Sequence, residues 1–226
     1  MQAPLNPTYY KPSRAIEKTV LHIRQKSQTD SSHDWPHIER VWKLARHIGE
    51  KEGADPLIVQ LGALLHDIAD WKFHDGDENA GPEKGKKWLA SLEVPEETAE
   101  RVIAIIREVT YKGAGVDTKV SSRESAVVQD ADRLDAIGAI GIGRAFAYGG
   151  HKNRPMHDPS SPPEMHATFE DYKKKQSTTV NHFYEKLFRL KDRMNTETGR
   201  RLAVERHAFM EDFLRRFLEE WAIQVS

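Results

Sequence analysis

The run PLIVQLGALLHD, residues 56–67, constrains this chain more than any other segment. Leu57, Leu61, Leu64, Leu65 and Ile68 recur at helical spacing and form one apolar face. A helix this apolar belongs in a core, yet it ends in two adjacent polar side chains, His66 and Asp67. Buried polar groups need partners, and buried charges need opposite charges or metals. One cation satisfies both residues, the imidazole through nitrogen and the carboxylate through oxygen. His37 lies upstream in DWPHIERVWKLA and Asp132 downstream in QDADRLDAIG. The four residues together make a His2Asp2 metal site drawn from three helices. The plain alternative is a helix-end histidine beside a solvated or capping aspartate, with His37 an ordinary polar residue of a first helical turn.

The rest of the chain carries the same helical punctuation. Residues 1–12 read as a flexible arm, and 13–226 as one helical domain. Ser13 is a good N-cap for a helix to about Gln28. Asp34 caps the next helix, with Pro36 tolerated in its first turn. Ile38, Val41, Ala45 and Ile48 form its buried face, Gly53 ends it, and Pro56 opens its successor. Further helices are expected from about Pro82 to Leu92, from Pro95 with Val102, Ile105, Ile106 and Val109 inward, and from Val120 to about Ile140. Residues 149–167, with four prolines, read as a long loop, the length at which loops are usually lids or disordered. Two long amphipathic helices, about 168–194 and 197–222, close the chain. Strand-like alternation and internal repeats are absent, so the expected fold is all-α.

Composition narrows the function classes. With no cysteine, disulfides, thiolate metal sites and cysteine nucleophiles are excluded. A formal net charge of -1 gives no global signal for nucleic acid or an anionic membrane, and neither is expected as a partner. The N-terminus, MQAPLNPTYYKPS, does not read as a secretory signal, and no stretch reaches the length of a membrane span. A cytoplasmic location is expected. No GxxxxGK[ST] or GxSxG motif occurs, and the glycines of GAIGIGRAF follow no strand, so they read as helix packing and not as a dinucleotide fingerprint.

The ordered motifs HIERVWKLA, ALLHDIAD and DADRLDAIG, within residues 33–138, resemble the HD superfamily of metal-dependent phosphohydrolases, whose pattern is H…HD…D on a helical bundle. By that resemblance His37 matches the first histidine, His66 and Asp67 the doublet, and Asp132 the last aspartate. The later stretch NHFYEKLFRLKDRMNTETGR resembles the extension of a bacterial and fungal subgroup similar to small nucleotide pyrophosphohydrolases. The resemblance implies a divalent metal cofactor. The N/O ligand set suits manganese first, with Mg, Ni, Co, Fe or Zn as alternatives. It implies a small nucleotide as substrate and hydrolysis of a nucleoside triphosphate to monophosphate and pyrophosphate. The rivals are a 5′-nucleotidase releasing phosphate, a nucleotide-binding module without turnover, and a metal-free helical scaffold.

Asp70, three residues past Asp67, stands where related nucleotide-directed enzymes carry an acid, and is expected to orient or deprotonate the attacking water or to protonate the leaving group. Cyclic dinucleotide phosphodiesterases of the family usually read HDxGK; HDIAD lacks that lysine. Lys72 either neutralises a phosphate or is a surface lysine beside Trp71. Asp75, Asp77 and Glu78 form an acidic cluster that either binds a second Mg or is solvated. His33, Arg40, Arg133, Arg144 and Lys152 are the expected substrate-side residues. Arg40 and Arg133 have structural ion pairs as their alternative, and Asp135 a salt bridge to a neighbouring base. Oligomeric state is open between monomer and homodimer.

Overall fold

A computed structural model describes residues 12–26, 34–68, 79–109, 119–164 and 177–223. Every element among them is helical. In chain order these are α1 (Pro12–Lys26), α2 (Trp35–Glu52), α3 (Pro56–Leu65), α4 (Ala80–Ser91), α5 (Glu96–Val109), α6 (Arg123–Asp135), α7 (Gly138–His151), α8 (Thr179–Glu185), a 3-10 helix (Leu187–Arg193) and α9 (Glu197–Trp221). No helix among the described residues is long and apolar enough to cross a membrane. The described residues cluster into two compact units, one up to 109 with 119–129, the other from 130 onward. The boundary falls inside α6, which runs unbroken through it.

The first unit is built around α3. Ile58, Val59 and all residues from Leu61 to Leu65 are buried, as expected for a helix apolar on every side. Helices α1, α2 and α5 pack against it, and α4 packs on α5. The ends of α2 follow the sequence. Asp34 accepts the His37 N–H at 3.0 Å, and Gly53 closes the helix at φ 66. Asp55 caps α3 by accepting from Leu57 and Ile58. Where α3 crosses α5 there is no room for a side chain: a Cβ on Gly62 would lie 2.7 Å from Ile105 Cδ1 and 3.1 Å from its Cγ2. Gly62→Val is therefore expected to destabilise the protein by about 1–3 kcal/mol through overpacking, read from chemical denaturation.

Three elements differ from the sequence reading. The helix expected over 120–140 is two helices. It stops at Asp135, and the chain turns through Gly138 at φ 74, a left-handed conformation that favours glycine, to start α7. The early part of the expected 149–167 loop, through His151, is the last turn of α7. The helix expected to run to 194 ends at Glu185 and continues as 3-10 turns. A continuous α-helix would set Phe183 and Phe188 about 140° apart around its axis. The irregular backbone at Lys186 instead leaves their rings 6.2 Å apart.

In the second unit α7, α8, the 3-10 helix and α9 pack around Phe146, Phe183, Phe213 and Phe217. His182 on α8 is pushed down to about 3 by burial, with Lys186 and Arg154 adding repulsion. In the unfolded chain it titrates near its ordinary value, 6.5. Between those values the unfolded state holds one more proton than the folded state. Stability is thus fully present above 6.5 and falls as pH drops toward 3, by about 1.4 kcal/mol per pH unit. His182→Gln is expected to flatten the pH dependence of stability between pH 4 and 6 by that slope, measured by denaturation at each pH.

Candidate metal centre

The site grows from two helix ends. His37 lies in the first turn of α2, placed there by the Asp34 cap, and is 3% exposed. His66 stands immediately after α3 with helical dihedrals, φ -56 and ψ -32, and is 6% exposed. Its Nδ1 lies 2.7 Å from the Ala63 carbonyl oxygen. A carbonyl only accepts, so Nδ1 carries the proton and, in the neutral ring, Nε2 carries the lone pair. This is the backbone support that metal-binding histidines commonly have behind them.

Asp67 follows in the same turn and faces both rings. Its Oδ2 is 3.5 Å from His37 Nε2 and 3.4 Å from His66 Nε2. The two imidazoles meet edge to face at 5.5 Å. Donor atoms about 2.1 Å from one ion stand about 3.4 Å apart at the tetrahedral angle, so this spacing is that of ligands around a common cation. A lone-pair nitrogen and a carboxylate oxygen both attract positive charge, and an ion between them serves both.

Asp132 sits on α6, three residues past Gln129, where the first unit's share of that helix ends. His37, His66 and Asp132 each offer a ligand atom, and these atoms lie within 4.8 Å of one another. The residues fit a divalent ion of the N/O-preferring kind: two imidazoles and carboxylates, with no thiolate.

The substrate-side residues are placed less uniformly. Arg40 is half-buried one turn after His37 on α2. Arg133 is buried and donates from Nη1 to the Arg193 carbonyl. Arg144, on α7, pairs with the buried carboxylate of Asp135. Lys152 is exposed at the end of α7 with its Nζ 5.8 Å from the centre of the Tyr148 ring, and Arg154 Cζ is 5.5 Å from the same ring. His33, Asp70, Lys72, Asp75, Asp77 and Glu78 lie outside the described residues.

One important residue escaped the sequence reading. Asp130, which the motif alone allows to be solvated, is fully buried. It accepts from the backbone N–H of Asn195 and Thr196 and from both their side chains, at 2.7–3.1 Å. Its partners are 65 and 66 residues away, and no local pattern announces them.

Comparison with known proteins agrees with this geometry. The HD domain family matches residues 35–137, a span that includes His37, His66, Asp67 and Asp132. The uncharacterized protein YpgQ of Bacillus subtilis is 44% identical over 186 residues, covering 82% of each chain. A crystal structure of an HD-superfamily hydrolase from Bacillus thuringiensis is 42% identical, covers 95% of this chain and 100% of its own, and superposes with a TM-score of 0.76. B. subtilis YpgQ in complex with ADP is 37% identical over 92% of this chain and 96% of that one, with a TM-score of 0.73. An all-α fold, a clustered H…HD…D set and relatives of this closeness carry one conclusion: the chain belongs to the HD-domain family of hydrolases.

Proposed function

We propose that this protein is a metal-dependent phosphohydrolase of small nucleotides that cleaves nucleoside triphosphates to monophosphate and pyrophosphate. The observation that carries the reading is the convergence of His37, His66 and Asp67 at 3.4–3.5 Å spacing, with Asp132 within ligand reach of the histidines. The YpgQ complex with ADP supports a nucleotide as the substrate class.

His37, His66, Asp67 and Asp132 would hold the ion. When bound, a divalent cation polarises a phosphoryl oxygen and makes water a better nucleophile at neutral pH. Manganese is the ion we favour, with Mg, Ni, Co, Fe or Zn compatible with the same N/O ligand set. Asp70 accepts the proton as water oxygen bonds to the α-phosphorus and the α–β phosphoanhydride bond breaks. Lys72 balances charge on the leaving pyrophosphate, with His33, Arg40, Arg133, Arg144 and Lys152 on the substrate side. Exposed Lys152 and half-buried Arg154, both beside Tyr148, suit the phosphates better than Arg144, which already faces Asp135.

The test is a product-resolved screen. Protein stripped of metal and reloaded with Mn or Mg is given nucleoside mono-, di- and triphosphates, with Asp67→Ala as the blank. Pyrophosphate from triphosphates is expected. Inorganic phosphate from monophosphates replaces this reading with a nucleotidase. Tight nucleotide binding without turnover replaces it with a binding module.

A further inference from the structure

We infer that Asp130 and the segment Asn195–Gly199 form a positioning clamp that sets the metal ligand Asp132. The inference rests on the reading of Asp132 as a ligand and assigns a role to residues outside the metal set. The C-terminal part of α6 is anchored within the second unit at Asp130, Arg133, Leu134 and Asp135. Asp130 takes the backbone and side-chain donors of Asn195 and Thr196. Arg133 reaches the Arg193 carbonyl, the Leu134 carbonyl accepts from Arg206, and Asp135 pairs with Arg144. Asp132 lies in the middle of this set of anchors.

The two aspartates divide the work by geometry. Two residues along an α-helix is a rotation of about 200°, so Asp130 and Asp132 stand on nearly opposite sides of α6. One side is gripped, and the other presents the ligand. The grip is also built to fit. Thr196 is the N-cap of α9, its Oγ1 accepting from Gly199 N at 2.9 Å while donating to Asp130 Oδ2 at 2.7 Å. A Cβ at position 199 would lie 2.3 Å from Asp130 Oδ2, so glycine there is required by the carboxylate itself. Five donor contacts onto one fully buried carboxylate are more than a cap needs. They fix the rotation of α6 about its axis, which is the coordinate that aims Asp132. Groups that orient a ligand from behind typically change metal affinity by about 10- to 100-fold when removed.

The test measures Mn binding by electron paramagnetic resonance on the full chain, beside the far-UV circular dichroism of each variant. Asp130→Asn keeps one acceptor and sets an amide N–H against the Thr196 N–H. It is expected to weaken Mn binding about tenfold with native helix content. Asn195→Ala removes a single contact and is expected to weaken it less. If Asp130→Asn does not fold, Asn195→Ala decides. In the Asp132→Ala background Asp130→Asn should lower the remaining affinity no further, because the clamp acts through Asp132. A merely structural residue would lower it in both backgrounds. Folded clamp variants that bind Mn as the wild type does overturn the clamp and leave the metal centre standing. If Asp132→Ala itself binds Mn like the wild type, the ligand reading falls and the clamp with it.

Discussion

Asp67→Ala is expected to abolish turnover, lowering it at least about a thousandfold, which is about 4 kcal/mol of barrier at 1.36 kcal/mol per tenfold. The reason is that Asp67 faces both imidazoles, at 3.4 and 3.5 Å. Its loss takes from the proposed centre both a ligand and one of the two negative charges that offset a divalent ion. The fold should survive, because Asp67 lies in a turn after α3 with its side chain 19% exposed. Binding linkage separates the two effects. With Mn at about 100 times its Kd, the wild type gains about 2.7 kcal/mol of stability, and Asp67→Ala at the same concentration should gain almost none. Asp67→Asn keeps the shape and one weaker oxygen donor, so it should fall between them. A variant that still melts at a higher temperature on adding Mn, and still turns over, would remove Asp67 from the centre.

The candidate site was legible in the sequence as far as each proposed ligand has a local setting, and the structure brings these positions near one another. His66 and Asp67 announce themselves by ending an apolar helix. His37 follows an Asp-x-Pro helix start, and Asp132 falls in an aspartate-rich stretch of α6. The helix ends at Asp34, Gly53 and Pro56 were legible for the same reason, since caps are chosen by nearest neighbours. What was not legible depends on partners remote in sequence. The break between α6 and α7 occurs without proline, in a stretch whose apolar spacing continues straight through it. Asp130 reads like its neighbours Asp132 and Asp135 until Asn195 and Thr196 are seen against it. Arg133 is legible as a base on the same helix, but its bond to the Arg193 carbonyl, 60 residues away, is not. Tertiary context decided each of these, and a periodicity argument contains none of it.

The same remote dependence makes Phe183→Ala the substitution with the largest expected effect on stability. Phe183 is wholly buried on α8. Its ring meets Phe146 at 6.1 Å, Phe188 at 6.2 Å and Phe213 at 6.4 Å, so it joins α7, the 3-10 helix and α9 in one cluster. Truncating a buried phenylalanine costs about 3–5 kcal/mol, from lost transfer energy and an incompletely filled cavity. The upper part of that range is expected here, because three aromatic neighbours on different elements cannot all move inward to close the space. Phe183→Leu retains most of the apolar volume and should cost less than half as much. Chemical denaturation of the two variants checks the order. A loss below about 1 kcal/mol for Phe183→Ala would mean that the cluster is not tightly packed around this ring. The consequence reaches the metal centre through the chain: the 3-10 helix that Phe183 holds ends at Arg193, whose carbonyl anchors Arg133, and is followed at once by the Asn195–Thr196 grip on Asp130. Phe183→Ala should therefore weaken Mn binding even under conditions where circular dichroism still reports a folded protein, and Phe183→Leu should weaken it less.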